Sequence, residues 1–135
     1  MKRRNHTHSV RSEQGQTAVE FALVAPFLVM LLLAILQLGI TFNHYVTVTD
    51  AARAGARRAI VARVAGLTPA DIEASVRAAA SDLDQSQLKV LVDDATWNVS
   101  GSNVIVTVTY PYAINVLGVV VASGSLTSTM TDRLE

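Results

Sequence analysis

The sequence predicts an α+β protein in which a long N-terminal transmembrane helix is followed by a small head of one helix and a three- to four-stranded antiparallel sheet. Three observations predict it. Phe21 to Thr49 contains no Asp, Glu, Lys or Arg, and as a helix that run exceeds the ~30 Å of a bilayer core. A capped, amphipathic helical pattern follows Thr68. After about Ser86 the apolar period changes from helical to alternating, the pattern of strands. At 135 residues the chain has room for one membrane segment and one small domain.

The boundaries follow from these shifts. Residues 1–15 form a basic leader, with Lys2, Arg3, Arg4 and Arg11 against Glu13. Residues 16–49 form the transmembrane helix, 50–66 its helical extension and 67–135 the head. The apolar run is too long for the core of a secretory signal, and no small-residue cleavage site with a polar run-out closes it. Arg53, Arg57 and Arg58 flank its far side, so loop charge favours a cytoplasmic N-terminus only by a small margin.

Within the membrane segment two residues stand out. Glu20 places a carboxylate one turn inside the apolar run, where a central charge costs roughly 2.5–3.5 kcal/mol, so a compensating partner is expected. Pro26 removes one backbone hydrogen bond and predicts a kink or melted turn. Gln37 and Gly39 suit helix–helix contact.

Asp50 to Val64 is rich in alanine and arginine and continues the helix. Ala52, Ala56, Ala59 and Ile60 share one face. Arg53 and Arg57 share another, read either as a solvated surface near headgroups or as a contact for an acidic partner or anionic lipid. Gly55 permits close backbone approach, which makes Arg53, Gly55 and Arg57 candidate partner-contact residues. Gly66 is a C-cap, and Thr68-Pro69-Ala70-Asp71 starts the next helix. Its apolar stripe is Ile72, Val76, Ala79, Ala80 and Leu83, with Glu73 and Arg77 paired outside.

In the tail, Leu88–Asp93 and Ala95–Ser100 read as short strands, with a turn at Ser100–Asn103. Val104, Val106, Val108 and Tyr110 then line the inner face of a strand whose outer face carries Thr107 and Thr109. Leu126–Arg133 is a final strand with Leu126 and Met130 inward. The apolar run Val116–Ala122, too short to span a bilayer, reads as buried core. The alternative is an exposed loop that meets a neighbouring subunit or the membrane. Trp97 and Tyr112 read as core residues.

Several function classes are disfavoured. Net charge is zero, so no nucleic-acid partner is expected. The absence of cysteine removes disulfides and thiol chemistry. His6, His8 and His44 do not converge with carboxylates at ligand spacing, so no metal or other cofactor is expected. There is no glycine-rich phosphate loop or nucleophile elbow, and the neighbouring Asp93 and Asp94 would point to opposite faces of a strand. The chain is not expected to be an enzyme.

Two stretches carry a family resemblance. Gly15-Gln-Thr-Ala-Val-Glu-Phe-Ala-Leu-Val-Ala-Pro-Phe-Leu resembles the signature of TadE-like proteins, pseudopilins of the tight-adherence (Tad) pilus system. Asp50-Ala-Ala-Arg-Ala-Gly-Ala-Arg57 is similar to that family's second block. The resemblance implies cleavage by a prepilin peptidase between Gly15 and Gln16. Glu20, followed by Phe21, then becomes the fifth mature residue, able to pair with the new terminal ammonium of Gln16 or of a neighbouring subunit. It also implies a pilin-like stalk and a bacterial inner-membrane protein with a cytoplasmic N-terminus and an extracytoplasmic head. Such a protein is retained in the membrane or enters the pilus as a minor component, in adherence or secretion. The implied partners are the peptidase, other pilin-like or pseudopilin subunits, Tad assembly proteins and the membrane. Gln16 departs from the phenylalanine that begins many mature type IV pilins. Two alternatives remain: a minor pseudopilin of another secretion system, and an unprocessed, membrane-anchored extracytoplasmic binding module.

Overall fold

The computed structural model describes residues 9–93, 99 and 101–133. Its dominant element is α1, Ser9–Ile60, a helix of 52 residues and so about 78 Å long. Two short helices follow, α2 (Ala62–Ala65) and α3 (Pro69–Ala79), and then strands β1 (Lys89–Val92), β2 (Asn103–Val116) and β3 (Val119–Arg133). The strands form one antiparallel sheet in the order β1-β2-β3. The predicted α+β class holds, with three strands among the described residues. The strand expected at Ala95–Ser100 and the core role of Trp97 fall largely outside the described residues; Val99 is a bend.

α1 runs without a break through Pro26, so no turn is melted there. Its first interruption is Val61, after which Gly66 closes α2 at φ 67° in the left-handed region. The start of α3 is fixed by a reciprocal capping box. The Thr68 hydroxyl accepts from the Asp71 N–H at 3.4 Å, while the Asp71 carboxylate accepts from the Thr68 N–H at 2.8 Å. Arg77 and Glu73 pair at 2.8 Å, as the spacing predicts.

The core sits where the C-terminal half of α1 crosses the sheet. Val48, Ala51, Ala52, Ala56 and Ala59 of α1 are buried with Ile72, Val76 and Ala80 near α3 and with Val104, Val106, Val108 and Tyr110 of β2. Alanines on α1 bring backbone close to the sheet, and the valines of β2 fill the space between. Residues 50–66 are therefore not a free extension of the stalk: Asp50–Ile60 is the central helix of the head. Ala79 is exposed rather than part of the buried stripe, which runs through Ile72, Val76, Ala80 and Leu83.

On the outer face, Thr107 pairs with Thr129 and Thr109 with Thr127, their hydroxyl oxygens 3.2 and 3.3 Å apart. Leu126 and Met130 point inward, half-buried, with Ser128 buried between them. Tyr112 departs from expectation. It lies opposite Gly124 in register, and its ring covers that glycine, leaving only 3.0 Å between Cε1 and the place of a β-carbon.

The apolar run at Val116–Ala122 is the larger departure. It forms the tip of the β2–β3 hairpin, and although Val116 is buried, Leu117, Val119, Val120 and Val121 are exposed. The two loop residues, Leu117 and Gly118, both take positive φ, 52° and 85°, as two-residue hairpin loops require. A tight loop leaves these side chains nothing to pack against.

Candidate processing and assembly site

The N-terminal residues singled out from sequence lie on one exposed stretch of α1. Gly15 is helical and faces open space, with nothing within 4 Å of a built β-carbon. One turn on, Gln16 Nε2 donates to Glu20 Oε1 at 3.1 Å. Both residues are exposed, as is Phe21, at 69 %. The Glu20 carboxylate thus has a partner within the same chain: the side-chain amide of the residue whose backbone nitrogen would become the terminus after cleavage. Sequence reading anticipated the pairing of positions 16 and 20 but not the amide. The i, i+4 spacing alone signals it.

From Gly15 to Leu32 every residue is exposed except Ala25, which is half-buried. Among the described residues none buries this length of helix, so its apolar side chains face whatever surrounds the protein. Gly15–Ile60 contains a stretch long and apolar enough to cross a membrane.

The second group lies at the other end of α1, and the structure divides it in two. Ala51, Ala52, Gly55 and Ala56 are buried under the head. A β-carbon on Gly55 would collide with Val76 Cγ2 and stand 3.1 Å from Val106 Cγ1. The close approach expected at Gly55 is therefore made by the chain's own head, which corrects its reading as a partner contact. Arg53 and Arg57 face outward. Arg53 pairs with Asp50 at 3.1 Å beside a surface depression lined by Tyr45, Val46, Thr49, Asp50 and Arg53. Arg57 and Arg58 close the last turn of α1, where cations complement the helix dipole.

Two carboxylates elsewhere in the head are tuned by hydrogen bonds. The backbone N–H of Thr68, and then its hydroxyl, hold Asp71 below the ordinary value of 3.8. The Ser86 hydroxyl and N–H, followed by the Gln87 amide, do the same for Asp84. Both are held mainly by local hydrogen bonds, with the Arg58 charge adding a smaller contribution at Asp71. Among the described residues no three His, Asp or Glu side chains gather as a metal site would require.

A family model described as TadE-like protein matches residues 15–57. Residues 15–57, about a third of the chain, resemble the TadE-like family. Every matched residue lies on α1, from the exposed Gly15 before Gln16 to the exposed Arg57 in its last turn. The TadE-like match thus spans both the apolar stretch and the part of the helix that the head folds around, while the sheet lies outside it. No curated protein and no solved structure matches the chain. The TadE-like segment supports a pilin-like component related to the Tad pilus.

Proposed function

We propose that this chain is a processed TadE-like pseudopilin that helps build or initiate a Tad (type IVc, Flp-type) pilus serving adherence or secretion. The observation that carries the reading is the placement of Glu20 five residues beyond Gly15 on the exposed apolar half of a helix that matches the TadE-like family. Prepilin peptidase cleaves the Gly15–Gln16 bond. Because that bond lies within α1, the first turns unwind locally before it is cut. The mature protein stays in the bacterial inner membrane, with its N-terminus cytoplasmic and its head extracytoplasmic, and associates laterally with other pilin-like subunits and Tad assembly proteins. It carries no catalytic role and uses no cofactor.

Glu20 supplies the register in this mechanism. In lipid its carboxylate needs a partner. The Gln16 amide serves within the chain, and the terminal ammonium created by cleavage, on the same or a neighbouring subunit, offers a charged and therefore stronger one. A buried polar pair that forms at only one axial offset specifies that offset.

The test is intact-mass analysis of the protein from membranes, with and without a co-expressed prepilin peptidase. A peptidase-dependent loss of residues 1–15, leaving Gln16 at the terminus, is expected. An uncut chain beside an active peptidase overturns this reading and favours a membrane-anchored binding module.

A further inference from the structure

The tip of the β2–β3 hairpin has features that the fold itself does not call for. Leu117 and Val119 are 68 % and 63 % exposed. Leu117 also holds φ 52°, where glycine and asparagine are favoured and a leucine is strained. Residues 95–131 contain no Asp, Glu, Lys or Arg, so the whole outer hairpin is uncharged. Charged groups of the head lie from the middle of the sheet to its far end. Asp82 accepts from Thr47 at 3.2 Å, Lys89 stands opposite Thr109, and Asp132 and Arg133 end β3.

The register between sheet and helix gives the level of the tip along α1. β2 runs antiparallel to α1, with Val106 against Gly55 and the Tyr110 ring edge-on to His44 at a centroid distance of 5.4 Å. From Tyr110 to Val116 the strand advances about 20 Å, the length of about 13 helical residues. That brings the tip level with about Leu31, within two residues of Leu33. Burial along α1 agrees: the half-buried stripe of His44, Thr41, Gln37, Ala34 and Leu33 ends there. The stretch between Gln16 and that level is about 22 Å long, about three quarters of the thickness of a bilayer core.

The chemistry of the hairpin sets where the lipid ends. Beyond β1 the hairpin is a two-stranded ribbon with open edges, and Ser123 and Ser125 are exposed on it. Unpaired backbone groups do not enter hydrocarbon, so the acyl core stops at the tip and does not climb the ribbon. We propose that the tip, Leu117–Val121, is seated in the boundary between headgroups and acyl chains on the head's side of the bilayer, and sets the depth at which α1 leaves the lipid. This rests on the reading that α1 spans the membrane. It also removes Arg53 and Arg57 from reach of the headgroups, since they lie some 30 Å further along the helix.

The absence of cysteine makes the test direct. Full-length V120C, L28C and S81C are each labelled with an environment-sensitive fluorophore and reconstituted in phosphatidylcholine–phosphatidylglycerol vesicles. The V120C label is expected to shift its emission to the blue, to lose quenching by aqueous iodide, and to be quenched by lipid nitroxides near the headgroup rather than at the chain end. The S81C label stays open to iodide. If V120C is open to iodide while L28C is lipid-buried, the seating is overturned and the span stands. Shielding of V120C only in crowded vesicles, with energy transfer between copies, assigns the tip to a second subunit and equally overturns it. An L28C label open to iodide overturns the span itself.

Discussion

Gly55 of α1 and Val76 near the end of α3 meet so closely that no β-carbon fits between them. The contact joins the helix to its head at the centre of the core. Gly55→Ala gains about 1 kcal/mol of helix propensity but overpacks a buried site, which typically costs 1–3 kcal/mol. A net loss of roughly 1 kcal/mol is expected, read as a lower Tm of the full chain in detergent. Adding Val76→Ala to Gly55→Ala should recover part of the overpacking loss. If the double variant instead loses the sum of the two single effects, the contact is not the cause.

Leu117 holds a backbone conformation that asparagine adopts readily. Leu117→Asn places the Asn-Gly pair favoured in two-residue hairpin loops and should stabilise the head by about 1 kcal/mol. The same change should weaken lipid shielding at the tip. Higher Tm with reduced shielding is the expected combination, a trade of function for stability.

Glu20 should be dispensable for insertion and needed for assembly. Glu20→Ala is expected to fractionate with membranes at the wild-type level, because it removes a charge from the apolar helix, yet to impair pilus formation. Normal piliation in this variant would remove Glu20 from the mechanism.

The two capped carboxylates make acid stability predictable in sign. Asp71 is held below 3.8 first by the Thr68 N–H, and Asp84 first by the Ser86 hydroxyl. A depressed folded-state value contributes stability that is fully present above the unfolded value and is lost as pH falls through the folded one. The loss therefore falls below pH 3.8. Asp71→Asn and Asp84→Asn should each make the fall in Tm below that pH shallower. A limb of unchanged steepness in both would show that the caps do not bind the charged form more tightly.

The head's local grammar was legible in the sequence because each signal acts within one turn or one strand. Thr68 and Asp71 specify a cap wherever they occur, Gly66 tolerates positive φ, and the alternation of Val104, Val106, Val108 and Tyr110 fixes the buried face of β2. The TadE-like blocks were legible for the same reason, being contiguous on one helix. At Gly55 and Val116–Ala122 the sequence misled, because the deciding partner is distant along the chain. A glycine that permits close approach does not say who approaches, and Val76 and Val106 take that place only once α3 and β2 fold back. An apolar run reads the same whether buried or exposed.

By itself, then, the sequence determined that this chain has an apolar helix with a carboxylate one turn inside it, a capped second helix and an alternating sheet. Periodicity, capping and hydrophobic length are properties of neighbouring residues. Only the tertiary structure decided that Asp50–Ile60 is the core of the head rather than a stalk, and that Val119–Val121 are exposed at the tip of the β2–β3 hairpin. Those outcomes depend on antiparallel register between β2 and α1, which is set by packing across the whole domain.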